Sequence, residues 1–125
     1  DPLDPRPLVD LRRAVRDLVV VVDEAHTVVD TPVDPVLREI AALVERDHGL
    51  LVCGADAGAL AAQYRGPAVE VARHRTGLLL GRCGPVESDL LGVRPVAGGP
   101  CPPGRGVLVI RGTAVPIQLA DPGTP

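Results

Sequence analysis

Asp23 and Glu24 stand side by side at the end of an unbroken apolar run, Leu18 to Val22, in the stretch LVVVVDEAH that closes on His26. Val19 to Val22 do not alternate apolar with polar, which predicts a strand buried on both faces, as in a parallel sheet covered by helices. Carboxylates at the carboxyl end of such a strand lie where open α/β sheets bind ligands. There Asp23 would hold the Mg²⁺ of a nucleotide and Glu24 would orient or polarise a water, the geometry of a Walker B element. That chemistry also needs a lysine in a glycine-rich phosphate loop. All 13 basic residues are arginine, and the chain contains no lysine. Half of a nucleotide site is therefore written here and half is not. The competing reading is an acidic pair that caps the next helix, where negative charge is favoured.

Arg105 is the second candidate. It lies in PPGRG, Pro102 to Gly106, where flanking glycines let the backbone turn sharply and approach a ligand or a neighbouring subunit. A guanidinium there can contact phosphate; otherwise it is a solvated loop arginine. Arg75 and Arg82 flank TGLLL and are expected at opposite ends of one strand, facing a neighbouring subunit or solvent. His26 is a reader of nucleotide state or a half-exposed loop residue. His48 precedes Gly49 at a helix end, where a cation is favourable, and His74 sits among arginines with no catalytic role. Cys53, Cys83 and Cys101 fit no zinc spacing, and the histidines complete none. Cys53 reads as a small buried hydrophobe, and the three thiols as reduced in a cytosolic setting. No Ser/His/Asp or Cys/His arrangement has the spacing for nucleophilic catalysis.

The elements that must position these residues follow from periodicity. Residues 1–7 are Asp/Pro-rich and read as a linker. Leu8 to Asp17 is an amphipathic helix feeding a strand at Leu18–Asp23. After a connection containing Pro32, Asp34 and Pro35 give a capping side chain followed by proline at the first helical position. That helix carries Val36, Leu37, Ile40, Ala41, Leu43 and Val44 on one face and stops near Asp47, with Gly49 as the break. Leu50–Cys53 is a short buried strand. Asp56 caps a helix over Ala57–Tyr64, and Ala68–His74 continues as helix. Gly77–Leu80 is a third strand and Glu87–Leu91 a helical turn. Val93–Arg105 is a Gly/Pro loop, and Val107–Arg111 with Val115–Leu119 form a hairpin turning around Gly112–Thr113. Alternating strands and helices predict a layered α/β fold with a mainly parallel sheet and a C-terminal β-hairpin.

Composition sets the limits. The 125 residues suffice for one modest domain with a real core. The absence of Met reads as a fragment or excised domain of a longer protein. Tyr64 is the sole aromatic residue, so Leu, Val and Ala must build the core. The formal net charge of −3 gives no polyanion-binding footprint in the total. No apolar stretch reaches membrane-span length, and no signal peptide is visible.

Taken in order, VVVVDEAH, RTGLLL, ESDLLG and PPGRGVLVIRGTAVPIQLA resemble the C-terminal half of FtsK/SpoIIIE-type ATPase domains, most of all the divergent last ATPase domain of the type VII secretion ATPase. The elements that carry it are Asp23 and Glu24, Gly77 to Leu80, Asp89 to Gly92, Pro103 to Gly106, and Gln118. On this resemblance residues 8–120 are part of a RecA-like P-loop NTPase domain lacking its phosphate loop, and 121–125 are a tail. It implies ATP and Mg²⁺ as cofactors, Asp23 as the Mg²⁺ residue and Glu24 as the catalytic base, and maps Arg105 onto the GRG arginine without fixing its role. It also implies a ring-forming homo-oligomer with further ATPase domains, tethered to the cytosolic face of a membrane and moving DNA or a secreted protein. The isolated chain should not turn over ATP, because the helix N-terminus and lysine that hold the phosphates are missing.

Two rivals use the same residues. One is a degenerate, non-catalytic module that docks a partner domain or an export signal. The other is a DEAH-type helicase fragment, which should show a Ser/Thr-Ala-Thr segment on the next strand; LVCGADAG stands there instead.

Overall fold

In a computed structural model of the chain, the structure describes residues 3–44, 46, 48–95 and 100–123. The chain divides into two compact units, Asp1–Val71 and Ala72–Pro125.

The first unit contains α1 (Arg6–Ala14), β1 (Val19–Val22), a single 3-10 turn at Ala25–Thr27, α2 (Asp34–Leu43), β2 (Leu50–Cys53), α3 (Ala57–Ala61) and most of α4 (Pro67–Ala72). Helix α1 begins inside the expected linker, because Pro7 in its first turn needs no amide partner. It ends at Ala14, where Val15 turns extended. The expected stop of α2 near Asp47 lies outside the described residues, as do residues 1, 2, 124 and 125 of the expected linker and tail. Strands β1 and β2 are parallel, with Val19 opposite Leu50 and Val22 opposite Cys53. The core lies on one side of this pair: Leu37, Ile40 and Ala41 of α2 pack with Leu51, and Val20, Val22 and Cys53 are partly buried against them.

The other side of the pair is bare, which corrects the expectation of burial on both faces. Val19 is 57% exposed and Val21 71%, and their register partners Leu50 and Val52 are exposed too. Two strands with α2 on one side make a two-layer arrangement, so alternate residues of the apolar run face outward. The composition of VVVV cannot signal this, because both facings are filled by the same residue type.

The second unit contains β3 (Gly77–Leu80), α5 (Pro85–Leu91), β4 (Arg105–Ile110) and β5 (Thr113–Gln118). Here the mainly parallel sheet is corrected as well. β3 pairs antiparallel with β4, and β4 with β5, in the order β3-β4-β5, so β1 and β2 are the only parallel pair among the described residues. A run such as LLL carries no mark of strand direction. The expected C-terminal hairpin is present, with its turn one residue earlier than read from sequence, at Arg111 and Gly112, both at positive φ (50° and 81°). That turn matches the twist of the two strands. One face of the sheet packs Val107 and Val109 against Leu91 of α5 and Cys83. The fold is thus mixed α/β, with a small parallel sheet and a three-stranded antiparallel one.

Candidate functional site

Asp23 and Glu24 emerge at the carboxyl end of β1, as the apolar run demands. The end is closed by backbone bonds to the neighbouring strand: the Gly54 amide donates to the Val22 carbonyl (2.9 Å) and the Ala25 amide to the Gly54 carbonyl (2.8 Å). Glu24 takes a left-handed conformation, φ 48° and ψ 46°, at the start of the 3-10 turn. Its own amide donates to Asp23 Oδ1 at 2.9 Å. Its side chain makes no capping hydrogen bond. The capping explanation of the acidic pair therefore fails for Glu24, whose carboxylate stays exposed and uncommitted among the described residues.

His26 and Asp56 meet at the same end. The Asp56 amide donates to His26 Nδ1 at 3.3 Å, so that ring nitrogen is an acceptor here. The Asp56 carboxylate accepts from the Ala59 amide at 2.8 Å, the cap expected for α3. Gln63 Nε2 donates to the His26 carbonyl at 2.5 Å. His26 is thereby engaged in joining β1 and β2 to α3, a role its place in the DEAH motif does not reveal.

No group of three or more His, Cys, Asp or Glu side chains able to hold a metal occurs among the described residues. Asp23 can supply one carboxylate, and a Mg²⁺ of a nucleotide takes only one or two from protein, with phosphates and waters completing the shell. That part fits. The phosphates do not fit: this end offers no lysine, and the cavity of about 500 Å³ in the first unit lies at the opposite, amino end of β1.

Arg105 belongs to the second unit and is exposed on β4. Its Nε donates to Gln118 Oε1 at 3.0 Å, and Gln118 Nε2 donates to the Pro103 carbonyl at 2.8 Å. Gly104, at φ 82°, leaves room for this fastening: a Cβ there would meet the Leu119 carbonyl oxygen at 2.8 Å. The PGRG loop and the strand glutamine are thus one structural clasp.

Arg75, read from sequence as facing a neighbouring subunit or solvent, has a built role instead. Its guanidinium donates to the Gly92 carbonyl at 2.8 Å and reaches the Leu91 carbonyl at 3.5 Å, closing the carboxyl end of α5. Its own carbonyl accepts from the Gly112 amide of the hairpin turn (2.9 Å). Cations are favoured at helix C-termini, and the signal for it was the glycine closing LLG.

Among the thiols, Cys83 is buried while Cys53 and Cys101 are partly so, and none is bonded to another. Burial pushes the Cys53 thiol up to about 11. No family model, curated protein or solved structure matches the chain.

Proposed function

We propose that this chain is part of an FtsK/SpoIIIE-like ATPase domain of RecA-like fold, of the kind that drives type VII secretion or DNA translocation. One observation carries the reading: Asp23 and Glu24 sit at the carboxyl end of a parallel strand with the Glu24 carboxylate spent on no contact within the fold. Asp23 would then bind Mg²⁺, and Glu24 would accept a hydrogen bond from the attacking water and orient it. ATP supplies the phosphoryl group when bound. The motif series shared with that family and the bare apolar faces of the sheets agree with a portion of a larger layered domain. The same reading places the domain in a ring of like subunits at the cytosolic face of a membrane, acting on DNA or an exported protein. Among the described residues no helix is long and apolar enough to cross a membrane.

In the full-length protein, Glu24→Gln should lower ATP turnover about a hundredfold or more while leaving Mg·ATP binding intact. Asp23→Ala should remove the Mg²⁺ dependence of binding. Unchanged turnover in Glu24→Gln would discard the motor reading. The lack of lysine favours a second reading, a non-catalytic module that docks a partner domain or export signal. It requires that the full-length protein bind no ATP through this domain. Residues 1–125 alone should show no ATP turnover under either reading.

A further inference from the structure

The cavity at the amino end of β1 is lined mainly by basic and apolar residues among those described, and neither carboxylate of the DEAH motif takes part in it. Its volume is about 500 Å³, within the range of small-molecule sites. Among the described residues, Arg16, Arg46 and His48 line it together with the acidic Asp17. Arg16 has no hydrogen bond or ion pair among the described residues. Arg12, in the last turn of α1, also lines it and is held by Glu39 of α2 at 3.2 Å. Compensation of the α1 dipole is therefore already supplied by Arg12 and Arg13, and does not account for Arg16, which lies beyond the helix.

Val15, Ile40 and Val44 add apolar lining. Two lining residues, Asp17 (φ 58°) and His48 (φ 53°), hold left-handed backbones just before the paired strands. Non-glycine residues in that region cost about 1 kcal/mol or more each. They sit where the Leu50 amide donates to the Leu18 carbonyl at 3.0 Å, so the two turns are fixed side by side.

We infer that this cavity binds an amphiphilic organic anion, with a phosphate or carboxylate group on Arg16 and an apolar chain along Val15, Ile40 and Val44. Planar guanidinium groups suit either oxyanion. The inference stands apart from the nucleotide reading, since it needs neither Asp23, Glu24 nor a divalent cation.

The test is calorimetric titration of the 125-residue chain, in EDTA, with decyl phosphate, decanoate, inorganic phosphate and decyltrimethylammonium, each below its micelle concentration. Decyl phosphate or decanoate should bind, at least about tenfold more tightly than inorganic phosphate, and decyltrimethylammonium should not. The stronger of the two names the headgroup. Arg16→Ala should weaken binding about tenfold and Arg16→Lys less, with the circular dichroism spectrum unchanged. Asp17→Asn should strengthen it. Amide shifts on titration should cluster at residues 15–20 and 48–50. No binding, equal binding of the cationic amphiphile, inorganic phosphate binding as tightly as the decyl anions, or indifference to Arg16→Ala would each overturn the inference.

Discussion

Asp34 shows how far a single side chain can depart from its local motif. Asp–Pro before an apolar face marks a helix start, and α2 does start there. The cap position, however, falls to Val33, and Asp34 is the first helical residue, 1% exposed. Its carboxylate reaches back to accept from the Asp30 amide at 2.8 Å and forward to Arg38 Nε at 2.9 Å. Asp34→Ala should therefore cost about 1–2 kcal/mol in urea denaturation, because it removes the acceptor of the part-buried Asp30 amide and the partner of Arg38 together. Asp34→Asn, which keeps an acceptor for the amide, should recover part of that. Cys53 offers a pH-dependent readout. Burial raises its thiol from 9.0 to about 11, so the folded state holds that proton more tightly than the unfolded chain. Stability should be indifferent to this group below about pH 9 and fall between about pH 9 and 11, where the unfolded chain releases the proton and the folded state keeps it. At pH 8, alkylation of Cys53 should run about a hundredfold slower than that of an unperturbed thiol, since only the thiolate reacts.

At the scale of elements, the second unit is held by contacts between segments that look independent in the sequence. Arg75 before β3 closes the carboxyl end of α5 and meets the hairpin turn after β4. Gly92 ends α5 at φ 68°, and a Cβ on it would run into the Arg75 guanidinium. Gly92→Ala should thus destabilise the unit by about 2 kcal/mol, more than the left-handed backbone alone exacts, and Arg75→Ala should recover some of that loss in the double variant. Additive losses in a double-mutant cycle would show that the two do not couple. Helix α2, the Asp56 cap, the strand positions and the hairpin were legible because periodicity, a capping side chain and turn residues are local signals. Strand direction and the facing of VVVV were not, since uniform apolar runs encode neither. Of the candidate site, the placement of Asp23 and Glu24 was legible from the end of the apolar run. The Gln118–Arg105 clasp and the acceptor role of His26 were not, because each depends on a partner 13 or 30 residues away.

For the whole molecule, the informative surface is the apolar one. In the antiparallel sheet, Leu78, Leu108 and Val115 stand in register on the face opposite α5, and Ile110 and Leu80 share it; Leu80 is 62% exposed. No charged side chain stands on that face in β3, β4 or β5. Exposed aliphatic side chains gathered on one sheet face mark a surface meant to be covered. If the chain is part of a larger layered ATPase domain, the remainder of that domain covers it, and a charge placed there should be felt only in the larger protein. In residues 1–125 alone, Leu80→Glu should change stability by no more than about 0.5 kcal/mol, since the side chain is already in solvent, and should lower the binding of an apolar dye. In the full-length protein the same substitution should cost about 2–4 kcal/mol, from lost burial and a carboxylate taken out of water. A small cost in both would mean that the face stays bare in the whole protein, and the layered-domain reading would lose the support it draws from this surface.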